Sequence, residues 1–204
     1  MRPLAFARPA AQRLNALLRH VPVGAVWLAG LLPLALLVWD TVAANLGVEP
    51  IREIEHRLGL TALYFLIGGL AVTPALRLFG LNLIRYRRAI GLLAFAYLCL
   101  HMLAWAVMDM GLLWGQMARD VVKRPYLLFG MAAFLALLPL ALTSNDLSIR
   151  KMGGQAWRRL HRLVYPAAVL ACVHYLWVGK VITLSPALWL AVVLGLLIIR
   201  PILS

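Results

Sequence analysis

The sequence predicts an all-α membrane protein, a bundle of six transmembrane helices with both termini in the cytoplasm. Three observations predict it. Of the 204 residues, 64% are hydrophobic and only 13% charged, with a mean hydropathy of +0.89, whereas soluble domains run at about 45–50% and 25%. Six apolar runs come close to the roughly 20 residues that cross a bilayer. Positive charge is also divided unevenly between alternate loops.

The first 22 residues form a basic tail carrying Arg2, Arg8, Arg13 and Arg19. The first apolar run, 23–44, is longer than the 7–15 residues usual for a signal-peptide core, so it is expected to stay as an anchor helix. The further runs are 58–78, 89–109, 126–143, 162–180 and 186–203. Pro33, Pro139 and Pro166 fall inside three of them, which membrane helices tolerate better than soluble ones. Connections are short and nothing reads as a linker, so residues 23–204 are expected to form one domain. With most of the chain in spans, no room remains for a soluble catalytic domain.

The net charge of +13 would suggest nucleic acid in a soluble chain. Here the apolar runs exclude a basic nucleic-acid-binding domain, and the charge reads as topology. The tail, the second loop (Arg77, Arg85, Arg87, Arg88), the fourth loop (Arg150, Lys151, Arg158, Arg159, Arg162) and Arg200 hold fourteen Lys and Arg. The opposite side holds six: Arg52, Arg57, Arg119, Lys123, Arg124 and Lys180. The positive-inside rule puts the richer side in the cytoplasm, and odd-numbered spans then run outward. Trp39, Trp114, Trp157 and Trp177 fall near the span ends, where indoles prefer the interface.

Cys99 and Cys172 lie inside spans without CxxC or Cys–His metal spacing and read as packing residues. The histidines are more informative. An ionisable group inside a span is expensive and marks function by default. His101 stands 13 residues beyond Arg88, and His174 stands 13 beyond His161, each counted from the inner end of an outward-running span. At 1.5 Å per residue both imidazoles lie about 20 Å from the inner boundary. Two imidazoles at one depth on parallel helices can clamp haem iron, whose axial ligands are commonly histidines. A lone divalent ion ordinarily takes three or four ligands, and no third donor lies at that depth. Nearer the cytoplasm, His161 has Arg87 or Arg88 as its counterpart. Arg87 is 14 residues from His101, about 40° away on an ideal helix. The step from His161 to His174 is about 140° by the same rule, a poorer alignment that a kink at Pro166 would alter.

Beyond these counts, the chain carries a set of motifs in order: Ile54-Glu55-His56-Arg57-Leu58-Gly59, Ala71-Val72-Thr73-Pro74, Arg87-Arg88-Ala89-Ile90-Gly91-Leu92, Lys123-Arg124-Pro125-Tyr126, Leu142-Thr143-Ser144, Trp157-Arg158-Arg159-Leu160-His161-Arg162-Leu163-Val164-Tyr165 and His174-Tyr175-Leu176-Trp177. On these the chain resembles the MsrQ family, the haem-binding membrane subunits of the bacterial periplasmic protein-methionine-sulfoxide reductase system, within the wider ferric-reductase-like transmembrane group. The resemblance implies a bundle of ferric-reductase-like type in the bacterial inner membrane, carrying haem b and also FMN. The wider group holds two haems on four histidines, and the MsrQ family keeps three, with an arginine in the fourth place. Arg87 matches that position here, with Arg88 the alternative. The resemblance further implies electron transfer from membrane quinol, or from a cytosolic flavin reductase, to a periplasmic molybdopterin-containing methionine sulfoxide reductase, in the repair of oxidised periplasmic proteins.

The expected assignment is therefore His101 and His174 as axial ligands of one haem iron. His161 would serve an inner site and a second haem level, with Arg87 supplying charge. The chain would be an electron-transfer subunit whose catalytic partner is a separate protein. Relatives in the wider group carry a flavin and nicotinamide domain after the sixth span, and this chain, which stops at Ser204, is expected to depend on a separate donor. Two rivals fit the same residues: a stand-alone transmembrane ferric or cupric reductase, and a proton or ion transporter using the histidines as a relay without haem.

Overall fold

In the computed structural model, residues 8–179 and 183–203 are described. Arg2, Lys180 and Ser204 lie outside them. Ten α-helices follow in order: α1 (Arg8–His20), α2 (Val23–Val42), α3 (Pro50–Pro74), α4 (Arg87–Ala104), α5 (Trp114–Lys123), α6 (Pro125–Leu142), α7 (Asp146–Met152), α8 (Gly154–Leu160), α9 (Val164–Val178) and α10 (Leu184–Leu203). The six apolar runs coincide with α2, α3, α4, α6, α9 and α10. Four helical segments, containing α2, α3, α4 and α6, are long and apolar enough to cross a membrane. Helix α9 has 15 residues, and α10 is apolar over a shorter stretch, Leu184–Arg200.

Boundaries moved for identifiable reasons. Helix α3 starts at Pro50 rather than 58, because proline fits the first helical position, where no N–H is required, and Glu53 sits favourably in the first turn. A hydropathy reading stops short of this polar turn. Helices α3 and α4 each finish in a π-turn, over Ala75–Phe79 and Trp105–Asp109. Helix α9 is entered through a 3-10 turn, His161–Leu163, and Pro166 falls in its first turn.

The basic tail contains a helix, α1, which is docked rather than free. Asn15 donates to the carbonyl of Gly80 at 2.8 Å, and its carbonyl oxygen accepts from the amide of Asn82 at 2.9 Å. Gly80 caps the π-turn at φ 75°, a left-handed conformation that glycine adopts without steric cost. The Tyr86 hydroxyl reaches the Leu18 carbonyl at 2.7 Å.

The centre of the bundle is built from α3, α4, α6, α9 and α10. Leu66, Leu70, Ala94, Leu137, Ala167, Ala168, Cys172 and Val193 form one buried cluster. Ala167, Ala168 and Cys172 are fully enclosed, and such small side chains let membrane helices approach closely. Cys172 is thus a packing residue, and both cysteines are free thiols. Helix α2 joins through a specific device. Within it, Pro33 carries no N–H. The Tyr97 hydroxyl from α4 donates to the Gly30 carbonyl at 2.7 Å and accepts from the Leu34 amide at 3.0 Å. A neighbouring side chain thus satisfies backbone groups freed beside the proline.

Contacts sort the ends of the helices into two sets. At one end Arg88 meets Asp146 at 2.5 Å, α1 docks on the segment 80–86, and Arg200 donates to the Leu70 carbonyl at 2.8 Å. At the other end Arg57 bonds both Glu53, at 2.7 Å, and Asp40, at 2.6 Å. The first set is the one that carries the surplus of arginine.

Candidate functional site

His101 on α4 and His174 on α9 face one another with ring centroids 6.3 Å apart and planes inclined at 71°. The depth match expected from counting is present. Both rings line a cavity of about 690 Å³, within the range of small-molecule and cofactor sites. Its lining is apolar at Leu63, Leu66, Ala94, Leu98 and Leu137 and includes Glu55 together with Arg52, His56 and Arg124, the last three exposed.

The hydrogen bonds fix the chemistry of the two imidazoles. His101 Nδ1 lies 2.9 Å from the Glu55 carbonyl, and His174 Nδ1 lies 2.8 Å from the Tyr126 carbonyl. A carbonyl only accepts, so each Nδ1 bears the proton and donates it. Each Nε2 then carries a lone pair. Neither Nε2 has a hydrogen-bond partner among the described residues. A ring nitrogen held in this way, with the other nitrogen bare, is the usual arrangement of a metal-binding histidine.

Each anchoring carbonyl belongs to a helix with a glycine four residues further on. Gly59 follows Glu55 on α3, and Gly130 follows Tyr126 on α6. A Cβ on Gly59 would stand 3.1 Å from the His101 ring, and one on Gly130 would stand 2.8 Å from the His174 ring. Gly59 closes one of the motifs that carry the family resemblance, but nothing in the sequence singles out Gly130, since an isolated glycine in a membrane helix is ordinary.

A metal held by protein groups alone is not provided for. Among the described residues no group of three His, Cys, Asp or Glu side chains is placed to hold an ion. The 6.3 Å between ring centres does leave room for a single metal centre bonded at about 2 Å to each imidazole. The remaining ligands would have to come from a planar cofactor, for which the cavity has space.

The second expected pair also comes together. Arg87 and His161 line one cleft of about 390 Å³ with Gln155, Trp157, Arg158, Arg159, Arg162 and Tyr165. None of these residues is acidic. The two pairs, Arg87 with His161 and His101 with His174, give α4 and α9 the same direction, facing one another across the bundle rather than packed together. His161 stacks on Trp157 at 3.7 Å, and its Nδ1 faces the Trp157 carbonyl at 3.1 Å. Burial pushes the His161 imidazole below its ordinary pKa, and the Arg87 guanidinium acts in the same direction. The Ser144 hydroxyl comes within 3.5 Å of His161 Nε2 but gives its proton to the Leu140 carbonyl at 2.6 Å. Trp157 donates to the Thr143 carbonyl at 2.9 Å, so it positions His161 as well as marking a helix end.

The phase problem between His161 and His174 is relieved by the 3-10 turn rather than by a mid-helix kink. Three residues wound at 120° instead of 100° advance the ring by about 60°. Glu55 and His56, which precede the expected span 58–78, lie in the second turn of α3. There His56 packs against Tyr175 at 5.8 Å, and one Glu55 carboxylate oxygen is buried without a partner. Arg124 pairs with Asp120 at 3.4 Å and with the Tyr126 hydroxyl at 3.1 Å.

Comparison with known proteins settles the family. Residues 56–172, which include His101, His161 and nearly all of α3 to α9, match the family described as ferric reductase like transmembrane component. The chain is 43% identical over 189 residues to the protein-methionine-sulfoxide reductase heme-binding subunit MsrQ of Agrobacterium fabrum, covering 90% of this chain and 87% of that one. The MsrQ of Caulobacter vibrioides is 43% identical, covering 87% and 85% of the two chains. The chain belongs to the MsrQ family. A third member, from Rhodospirillum rubrum, is 46% identical over 175 residues, covering 85% and 84%. No solved structure matches the chain. Membership in the MsrQ family agrees with the all-helical, ferric-reductase-like membrane domain seen in the structure.

Proposed function

We propose that this chain is a haem b electron-transfer subunit of the bacterial inner membrane, with His101 and His174 as the axial ligands of one haem iron. The observation that carries this reading is the pair of Nδ1-anchored imidazoles across a cofactor-sized cavity. The names of the MsrQ relatives, heme-binding subunits of a protein-methionine-sulfoxide reductase, agree with it. In this reading all six apolar helices cross the membrane with both termini in the cytoplasm, which the charge distribution supports.

Haem supplies a one-electron carrier whose potential depends on its axial ligands and on the polarity around it. The residues of the chain do the rest. The Glu55 and Tyr126 carbonyls hold the two imidazoles in the tautomer that presents Nε2. Leu63, Leu66, Ala94, Leu98 and Leu137 exclude water from the inner part of the cavity. Arg52, paired with Glu49, and Arg124, paired with Asp120, are the cations on its lining that would answer acidic groups of a cofactor. At the inner end, the cationic cleft of Arg87 and His161 suits an anionic redox group. A second haem on His161 and FMN are the two that the family resemblance implies. Arg87 cannot itself be a ligand, because guanidinium has no lone pair to offer, and it supplies charge instead.

In this role the chain takes electrons from membrane quinol or a cytosolic flavin reductase and delivers them to a periplasmic molybdopterin-containing methionine sulfoxide reductase. Two electrons and two protons convert each sulfoxide to thioether and water in that partner, in the repair of oxidised periplasmic proteins.

Replacement of the ligands tests the reading. His101→Ala and His174→Ala are each expected to lose most of the haem, measured as the pyridine haemochrome content per protein, while His20→Ala keeps it. Full haem in both ligand variants would show that the iron is held elsewhere.

A further inference from the structure

Beyond the two histidines, the site contains a repeated construction. His101 donates Nδ1–H to the carbonyl of Glu55, four residues before Gly59 on α3. His174 donates to the carbonyl of Tyr126, four residues before Gly130 on α6. These are different helices, and neither histidine shares an element with its anchor. A side chain on a helix leans back over the turn N-terminal to its own Cα. The residue four positions on is therefore the one whose side chain would cover the carbonyl in question. Glycine leaves that carbonyl open on its flank, so it can accept from an incoming imidazole as well as from its own helix.

The distances agree with this. A Cβ at Gly59 would meet His101 Cε1 and Nδ1 at 3.1 Å, closer than carbon ordinarily sits against a neighbour. A Cβ at Gly130 would meet His174 Nδ1 at 2.8 Å, Cε1 at 3.0 Å and Cγ at 3.2 Å, so that ring could not stay in place. A Cβ at Gly30 on α2 would crowd Leu93 as closely, but among the described glycines only Gly59 and Gly130 stand against a histidine ring. Gly91, on α4, has nothing within 4 Å of such a Cβ, and the same holds for Gly195 on α10.

We propose that Gly59 and Gly130 are positioning residues of the axial ligands, two notches that seat the imidazole rings against backbone carbonyls and so fix which nitrogen faces the iron. The inference rests on the haem reading for its spectroscopic consequences, but the notches themselves are a property of the folded chain. They also explain why glycine, a poorer helix former than alanine, stands at these two places. By helix propensity alone, alanine at either position would stabilise its helix. A loss on substitution thus reports the ring and not the helix.

The test is Gly130→Ala and Gly59→Ala in the full chain, purified in detergent, with Gly91→Ala as the control. Gly130→Ala is expected to lose more than half of its haem, or to keep it with the low-spin ferric EPR signal replaced by a high-spin one as His174 leaves the iron. Gly59→Ala, whose contact is looser, is expected to keep haem with altered low-spin g-values and a shifted midpoint potential. Gly91→Ala should match the parent protein in all three measurements. If Gly130→Ala and Gly59→Ala both keep the parental haem content, g-values and potential, the notches do no positioning and the proposal is overturned, while the haem reading stands. Colourless parent protein from haem-replete cells would overturn the haem reading instead. The notches are then judged from histidine 15N shifts. Nδ1-protonated rings in the parent that change tautomer in Gly130→Ala support them, and unchanged rings overturn them.

Discussion

At the residue scale, the site is decided by which atoms have somewhere to put a proton. His101 and His174 each direct Nδ1 at a backbone carbonyl, and each therefore keeps a lone pair on Nε2. Only at His101 and His174 do two such nitrogens share a cavity. Residue counting puts this pair at one level, because 13 residues separate each from a marker at the same expected boundary, and the two rings do face one another. It did not capture the anchors, since backbone carbonyls have no sequence signature. A second single-residue effect lies at the opposite end of α4. The Arg88 guanidinium, bonded to Asp146 at 2.5 Å, holds that carboxyl below its ordinary value. A depressed folded pKa gives stability that is present above the unfolded value, about 3.9, and disappears as pH falls through the folded value. Asp146→Asn is therefore expected to lower the thermal midpoint slightly at pH 7 and by less in acid, below the ordinary carboxylate value. Because the pair is exposed, the difference at pH 7 should shrink in high salt. An equal deficit at both pH values would mean that the effect is not the ion pair.

At the element scale, the apolar helices were legible and the amphipathic ones were not. Hydropathy finds runs, so α2, α4 and α6 emerged nearly whole. Helices α1, α5, α7 and α8 did not, since each spreads charges among its apolar residues. The first turns of α3 were lost for the same reason, and with them the placement of Glu55 and His56 beside the cavity. The 3-10 entry to α9 was equally hidden. It changes the phase of His161 relative to His174 without changing composition. Joints between helices depend on single groups, and the clearest is Tyr97, which is 3% exposed and closes the break beside Pro33. Tyr97→Phe leaves the Gly30 carbonyl and the Leu34 amide without this partner in an apolar setting, which costs about 1–3 kcal/mol. The measurement is the thermal midpoint in detergent, and an unchanged midpoint would show that the two backbone groups re-pair with each other.

At the scale of the whole molecule, charge and contacts tell one story. The net charge of +13 is not a surface for nucleic acid. It gathers at the end where α1 docks, where Arg88 meets Asp146 and where Arg200 holds Tyr165 and Leu70. Those contacts tie the tail, the second and fourth loops and the C-terminal helix to one side of the bundle. Its facing the cytoplasm is a matter of insertion, which a reporter reads directly. A green fluorescent protein fused after the last residue is expected to fluoresce, and alkaline phosphatase at the same position to be inactive. The reverse pattern would invert the direction of electron flow through the two sites.

The central claim is that two imidazoles clamp one haem, and the visible spectrum of the purified protein tests it most directly. Protein from haem-replete cells is expected to show a Soret band and, on reduction with dithionite, the sharp α and β bands of six-coordinate bis-histidine haem. Colourless protein from the same cells would contradict the account and leave a histidine relay without haem as the better reading of His101 and His174.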